Sequence, residues 1–498
     1  MAALTALLAF ADLAVATEER RGEHPFEAYP WFPVPDALTR ERPDGALAGP
    51  VDRPPPVYSV YRDADYDPAW GNGTAEKDIF SAIKLIPLDR ERKFYLTLGG
   101  EIRERFEYWN NENFGVIPEM AGENAFWLQR IMMHLDLRMG PYVRFLFQGK
   151  SNLHEGRSDG ARRVVDEDEI DLHQAYAEIT IPYSDADWLA VRGGRQEVAF
   201  GTGRLLNARE GPNVRLSWDG VRTMLRWDNW ELDNFWLQFV NTEEFDFNDS
   251  TSDYQVWGAY LAGPGLFEQT GSNFYYIGDY RRSAVYIAGV ESEVRHTLGT
   301  RLFGRSGSAD FDVEGAWQTG TFGPATIAAW FVSGQAGYAF TPLFGKPHLA
   351  LKADIFSGNH SAPVDQGGRT LATFNTLFPR GNLFSEPAPI GQQNIIALHP
   401  QLDWYPSEQV VMTLAPIFYW RQSMKDGIYN WGGFPITPGT PDSGRYTGTE
   451  IWVQADYWFN KHLRLSIAYD HFFISDFFAG IPEARDYDFV AVWGVFKF

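Results

Sequence analysis

The stretch Phe94-Tyr95-Leu96-Thr97-Leu98-Gly99-Gly100-Glu101-Ile102-Arg103-Glu104-Arg105-Phe106-Glu107-Tyr108 alternates between two chemistries with a period of two. Phe94, Leu96, Leu98, Ile102 and Phe106 fall on one side, and Glu101, Arg103, Arg105 and Glu107 on the other; only Glu104 breaks the pattern. Successive side chains of a β-strand point to opposite faces, so this stretch reads as a strand with one greasy and one charged face. The texture repeats in segments of roughly ten residues set apart by Gly, Asn, Asp and Pro clusters. Ile131, Met133, Leu135, Leu137 and Met139 oppose Arg130, His134, Asp136 and Arg138, and then Val143, Phe145 and Phe147 oppose Arg144, Gln148 and Lys150. Late in the chain Leu349, Leu351, Ala353 and Ile355 oppose His348, Lys352 and Asp354. Ile451, Val453, Ala455 and Tyr457 oppose Glu450, Gln454 and Asp456, and Leu463, Leu465, Ile467 and Tyr469 oppose His462, Arg464, Ser466 and Asp470.

Charge on one face also fits a soluble β-sandwich with its apolar face as core. Two features favour a barrel. Aromatic residues gather near segment ends, at Tyr108-Trp109, Phe126-Trp127, Trp227, Trp230, Tyr457-Trp458-Phe459 and Phe472-Phe473, where membrane-interface girdles lie. The chain also finishes on a strand-like run, with Asp488, Phe489, Val490, Val492, Gly494, Phe496 and the terminal Phe498 on one register. Ala491, Trp493 and Val495 on its other register are apolar too, so alternation leaves the facing of this strand open. The fold class expected is all-β, a transmembrane antiparallel β-barrel over residues 94–498.

Composition agrees. Aromatic residues are 16% of the 498 residues, yet the mean hydropathy is only -0.31, too polar for a helical membrane bundle. Outside the N-terminus no run offers the roughly 20 apolar residues of a spanning helix. Residues 1–16, with the apolar Leu4 to Phe10 and the small-residue Ala14-Val15-Ala16, read as a secretory signal cut after Ala16. No Lys or Arg precedes the apolar run and Asp12 interrupts it, so the signal reads as incomplete; a buried helix end is the other reading. Residues 17–93 are rich in proline, including Pro54-Pro55-Pro56, which disfavours helix and central strand. They read as a periplasmic arm under or partly inside the barrel, or as a leader. The longer breaks Asn110 to Glu123, Glu155 to Glu169, Glu243 to Asp253, Gly358 to Gln393 and Ser423 to Ser443 read as long loops facing outward or folding into the lumen.

Several function classes are disfavoured. Cysteine is absent, which removes disulfides, thiolate metal sites and thiol nucleophiles. A formal charge of -22 disfavours nucleic acid. No Gly-x-Ser-x-Gly elbow, His-Glu-x-x-His helix or phosphate-binding glycine loop is present, so no enzyme and no cofactor is expected, although a site dispersed over strands would escape such a reading. Acidic runs such as Asp166-Glu167-Asp168-Glu169 lack EF-hand spacing and read as solvated loops, with loop calcium as the rival.

Among cations, arginine outnumbers lysine 34 to 9, which favours the fork-shaped cation suited to carboxylates and to fixed ion pairs. If the aliphatic faces meet lipid, Arg103, Arg105, Arg130, His134, Arg138, Arg144, Lys150, Arg222, Arg226, Arg295, Arg301, Lys352, Arg421 and Arg464 look inward. Glu101, Asp136, Glu178, Asp310, Asp312, Glu314, Asp354, Glu450, Asp456 and Asp470 look inward with them. Either the cations leave a positive neck that favours anions, or the two signs neutralise one another into an ordinary wet wall.

The chain after Phe94 resembles the alginate export family of outer-membrane porins. The densest likeness is Gly194-Arg195-Gln196-Glu197, Gly201, Arg204-Leu205, Asn213, Arg215 and Trp218-Asp219-Gly220-Val221-Arg222, with Trp218 where the family usually has Phe. Arg295-His296-Thr297-Leu298-Gly299-x-Arg301, Asp310-Phe311-Asp312-Val313-Glu314 with Gln318 and Gly320, Phe374-Asn375-Thr376-Leu377-Phe378-Pro379, and Trp420-Arg421-x-Ser423 with Asp426-Gly427-x-Tyr429 extend it. The resemblance implies an eighteen-stranded monomeric barrel in the outer membrane of a Gram-negative bacterium. Its constricted, arginine-rich lumen would pass an anionic polysaccharide outward by diffusion, with loops gating both ends and periplasmic secretion components as partners. It places Arg195, Arg204, Arg215, Asp219 and Arg222 in a lumen network beside a folded loop; loop-packing ion pairs without solute contact are the alternative. The other function on the same scaffold is a general or uptake channel for small organic acids or sugars.

Overall fold

The computed structural model describes residues 79–498, apart from 85, 91, 92, 141, 163, 184–186, 244, 245, 268, 408 and 461. The signal-like segment 1–16 and the extension up to residue 78 lie outside the described residues.

Eighteen long antiparallel strands form the wall. β1 (Phe94–Asn110), β2 (Glu123–Met139), β3 (Val143–Glu155), β4 (Asp168–Pro182), β5 (Trp188–Gln196) and β6 (Trp218–Trp227) make one third. β7 (Trp230–Val240), β8 (Ser250–Pro264), β9 (Thr270–Tyr286), β10 (Gly289–Ser306), β11 (Ala309–Phe322) and β12 (Ala325–Ala339) follow. β13 (His348–Phe356), β14 (Ile395–Ser407), β15 (Val410–Arg421), β16 (Tyr446–Trp458), β17 (Leu463–Ile474) and β18 (Tyr487–Lys497) complete it. Each pairs with its neighbour in sequence, and β18 returns to β1 from Lys497 opposite Glu101 to Asp488 opposite Asn110. Phe498 finishes the seam by exchanging two backbone hydrogen bonds of 3.0 Å with Gly100. Closure leaves no unpaired wall edge, the condition for a β-structure in lipid.

Outward residues confirm the surroundings of the wall. Phe147, Trp236, Leu298, Trp317, Val332, Leu349 and Ile467 are about half exposed although apolar, a band that only lipid would cover. No helix among the described residues is long and apolar enough to cross a membrane, so the strands do. Aromatic pairs at strand ends divide between faces: Trp127, Tyr457 and Phe473 point out, whereas Phe126, Trp458 and Phe472 are buried within. The last strand is settled in the same way. Phe489 is fully buried and belongs with Ala491, Trp493 and Val495 on the inward register, a correction to its expected grouping with Val490; Val490, Val492, Gly494 and Phe496 face out. That inward register is apolar because it meets packed side chains and not water: the Arg105 guanidinium lies 4.7 Å from the Trp493 ring, and Phe489 packs edge-on to Trp109.

Short turns close one end, as at 228–229 and 307–308, and the loops 111–122, 156–167, 197–217, 357–394 and 422–445 crowd the other. At the short-turn end the chain before β1 is fastened to the rim. Ile86 and Pro87 pair with Leu96 and Tyr95, and Phe80 packs against His462, Phe496 and Phe498.

Candidate functional site: the lumen and its infolded loops

Two loops leave the wall and fill much of the lumen. The first, 197–217, joins β5 to β6 and carries Val198, Phe200, Leu205, Leu206, Val214 and Leu216, all buried. The second, 357–394, joins β13 to β14 and contributes Phe374, Leu377, Phe378, Phe384 and Ile390 to the same apolar cluster. They meet at a parallel bridge between Leu206 and Phe378, where Phe378 N–H donates to Leu205 O at 2.8 Å and Arg380 N–H to Gly203 O at 2.8 Å. Trp218, fully buried at the start of β6, packs edge-on to Phe378 at 4.5 Å and ties both loops to the wall. Loops this apolar are stable inside a barrel because they supply the core that a wide barrel otherwise lacks.

Arginine holds the first loop. Arg103 of β1 donates to the carbonyls of Glu210 (2.9 Å), Gly211 (3.0 Å) and Pro212 (2.9 Å). Arg130 of β2 meets Glu101 at 2.6 Å and Glu210 at 2.5 Å, and Arg215 pairs with Glu197 at 2.7 Å and with Glu210. Burial would raise the Glu210 carboxyl, but Arg130 and Arg215 outweigh it and hold it well below the ordinary range. Glu197 is held down in the same manner by Arg215 and by a hydrogen bond from His173. His173 reaches Glu197 because a register shift between β3 and β4 turns both His173 and Gln174 inward. Asn213 bridges the loop to the wall and to the loop 156–167, donating to Gln129 O at 3.0 Å and Asp166 O at 2.8 Å.

The remaining inward cations are also held. Arg105 bonds Glu107 at 2.6 Å and Glu386 of the second loop at 2.7 Å. Arg138 and Arg144 share Asp136 at 3.0 and 2.9 Å, near the short-turn end, where buried His134 lies across Gly99. Arg204 crosses from the first loop to Glu314 (3.2 Å) and Asp354 (2.9 Å). Arg222 meets Asp233 at 2.7 Å, Arg295 meets Glu293 at 2.9 Å and Thr373 O at 3.2 Å, and Arg301 meets Asp312 at 2.8 Å. Arg421 caps the loop 422–445, donating to Gly444 O and Ser443 O at 2.7 Å.

Arg195 and Asp219 stand apart. They are cross-strand partners joined at 2.9 Å, but they share the outward register with Phe147, Val191 and Val221, so the expected place in the lumen is corrected to the outer rim of β5 and β6. The cause is local. Gly194 sits at φ +126, and a Cβ there would meet Ala175 O at 2.3 Å; the glycine fixes how β5 ends before the chain turns inward, leaving Arg195 outside. Three residues of the acidic run 166–169 are engaged by neighbours, since Asp166 meets Arg162 at 2.7 Å, Glu167 hydrogen-bonds His154 at 2.9 Å and Asp168 meets Lys150 at 2.8 Å.

Asn375, from the Phe374 to Pro379 motif, is the hub of the second loop. Its N–H donates to Gln318 at 2.9 Å, its side chain donates to Glu293 at 3.0 Å, and it accepts from Arg281. Arg281 and Arg209, neither among the expected site residues, lie where the two loops face the long-loop end. The available signal was Arg209's place in an apolar loop.

A family model described as alginate export matches residues 94–490. No curated protein matches in sequence. Among solved structures the chain is similar to a BenF-like porin from Pseudomonas fluorescens Pf-5, with a TM-score of 0.54 and 9% identity over 81% of this chain and 98% of that one. It is also similar to OccAB1 of Acinetobacter baumannii (0.52, 14%, covering 80% and 96%) and to Pseudomonas aeruginosa OpdK with vanillate (0.52, 10%, covering 80% and 98%). At such identities the likeness concerns the barrel fold.

Proposed function

Because the chain belongs to the alginate export family and is an outer-membrane channel, we propose that it passes an anionic polysaccharide of the alginate type outward by passive diffusion, as a monomer and without enzymatic activity. The observation that carries this reading is the set of guanidinium groups on the inner wall, Arg138, Arg144, Arg103, Arg130, Arg295 and Arg301, and on the first infolded loop, Arg204 and Arg215. Each is fixed by a carboxylate or carbonyl partner. Arg130 and Arg295 are fully buried and serve the wall, so the N–H donors open to a passing carboxylate are those of partly exposed groups such as Arg138 and Arg204, and conduction requires binding weak enough to release. Periplasmic secretion components would deliver the polymer at the short-turn end.

Planar-bilayer recording tests the proposal. Anion selectivity and concentration-dependent block by uronate oligomers are expected; cation selectivity without block would sink it. A second reading, an uptake channel for small organic acids or sugars, is favoured by the lumen-filling loops, whose apolar contacts must part before a polymer fits. Fast permeation of small monocarboxylates with no oligomer block would select that reading.

A further inference from the structure

Most inward arginines are held by carboxylates, and Arg103 and Arg421 by several backbone carbonyls at 2.7–3.0 Å; Arg209 has neither kind of hold. It has no carboxylate partner among the described residues, and the one polar contact of its guanidinium there runs from Nε to Pro379 O at 3.4 Å. Its guanidinium carbon lies 4.9 Å from the Trp431 ring and 5.5 Å from the Phe378 ring. Three loops thus converge on one cation, since Arg209 belongs to 197–217, Phe378 to 357–394 and Trp431 to 422–445. Aromatic faces cover a guanidinium's faces and leave its in-plane N–H edge as the polar outlet, the edge that pairs two-to-two with a carboxylate.

The backbone is set for this placement. Arg209 adopts φ +61, a left-handed conformation uncommon for a long side chain, and the Asn207 side chain accepts its N–H at 2.7 Å. Such a conformation persists where the surrounding structure imposes it, and it clusters at binding sites. Burial and the neighbouring Arg281 push the Arg209 guanidinium down to about 10, so it keeps its charge at neutral pH. Arg281, stacked 4.7 Å from Tyr254, adds a second cation beside it.

Resting on the reading of the pore as a channel for polyanions, we propose that Arg209, clamped by Phe378 and Trp431, is a capture site for one carboxylate of a hexuronate chain at the extracellular side of the infolded loops. The site contacts the polymer from the long-loop end, whereas the wall arginines nearer the short turns serve the periplasmic side.

The test uses the full-length protein in planar bilayers with mannuronate hexamers added to one chamber at a time. Arg209→Gln is expected to raise the half-blocking concentration from the extracellular chamber at least tenfold and to leave periplasmic block within twofold. Arg209→Lys should recover part of the loss, and Trp431→Ala, which frees one face of the guanidinium, should give an intermediate loss. Heat-modifiable gel mobility reports whether each variant is a folded barrel. Equal extracellular block of wild type and a folded Arg209→Gln overturns the capture site alone. Absence of block in the wild type from either chamber overturns both the site and the polyanion reading.

Discussion

The two sides of the lumen fasten their loops by different physics. On the side of β1 to β5 the fastening is ionic, with Arg130 and Glu101 fully buried and Glu210 and Arg215 closing the network onto the first loop. On the side of β15 to β18 it is aromatic and hydroxylic. Tyr419 donates to Glu450 at 2.5 Å, stacks on Phe472 at 5.7 Å and meets Phe384 of the second loop edge-on at 5.9 Å. Phe472 in turn packs on Phe114 at 4.9 Å. Glu450 and Asp470, both fully buried there, pair with no cation among the described residues. One side therefore depends on opposite charges staying together, the other on shape and on a few hydroxyl donors, so the two should fail under different perturbations.

The largest effect is expected at Arg130. Arg130→Ala leaves the fully buried Glu101 with Lys497, 4.0 Å away, as its only paired cation among the described residues, a loss of about 3–5 kcal/mol for a broken buried pair. Thermal unfolding followed by gel mobility measures it, and a shift within error of wild type would show that the first loop is held by apolar contacts alone. The same variant should increase single-channel conductance, because two of the carbonyls bound by Arg130 belong to that loop.

Acid should act on the ionic side next. Glu210 and Glu197 are depressed below the ordinary 4.5 by Arg130, Arg215 and His173, against the opposing effect of burial. A carboxyl depressed in the folded state contributes stability above its unfolded value and loses it as pH falls through the folded value. Conductance should stay constant from pH 7 down past 4.5 and rise, as the loop loosens, only at pH well below 4.5, as it approaches the depressed folded-state value. A rise already complete at pH 5 would point to a different titrating group.

On the aromatic side, Tyr419→Phe keeps the ring stacking and removes only the hydroxyl, leaving a Glu450 oxygen short of a donor. The expected cost is about 1–2 kcal/mol. Glu450→Gln in the same background should recover part of it, because an amide needs no compensating donor for a charge. A loss as large as that of Arg130→Ala would mean that the second loop is held through Glu450 and not through its rings.

Much of this was legible in the chain. Alternation in Phe94 to Tyr108 put Glu101, Arg103, Arg105 and Glu107 on one face, and all four are buried inward. What alternation did not carry was where loops replace water. The inward face of β18 is apolar because Trp493 and Phe489 meet Arg105 and Trp109, and a period-two reading assumes a wet lumen. The segment 197–217 was absent from the expected long loops because it lacks the polar texture of an exposed loop, for the same reason that it folds inward. Arg105 and Arg130 follow the alternation onto the inner face, but their partners Glu386 and Glu210 sit 281 and 80 residues away along the chain, beyond any local pattern.

The smallest effect is expected at Arg195, where a motif likeness and strand parity disagree. The motif places Arg195 and Asp219 beside a lumen network, whereas parity with Val191 and Gly193 places Arg195 outside, and the register with Asp219 keeps the pair together on the outer face. With Asp219 about a third exposed, its pair with Arg195 contributes about 0–1 kcal/mol, beside the hydrogen bond that Arg195 donates to Asn248 O at 2.8 Å. Arg195→Gln should therefore leave reversal potential and oligomer block unchanged and shift thermal stability only slightly, while Arg103→Gln, from the inner register, should lower anion preference. A selectivity change in Arg195→Gln as large as that in Arg103→Gln would mean that solute reaches the outer rim of β5 and β6, and the division between a loop-anchoring inner face and a lipid-side outer face would have to be redrawn at that point of the wall.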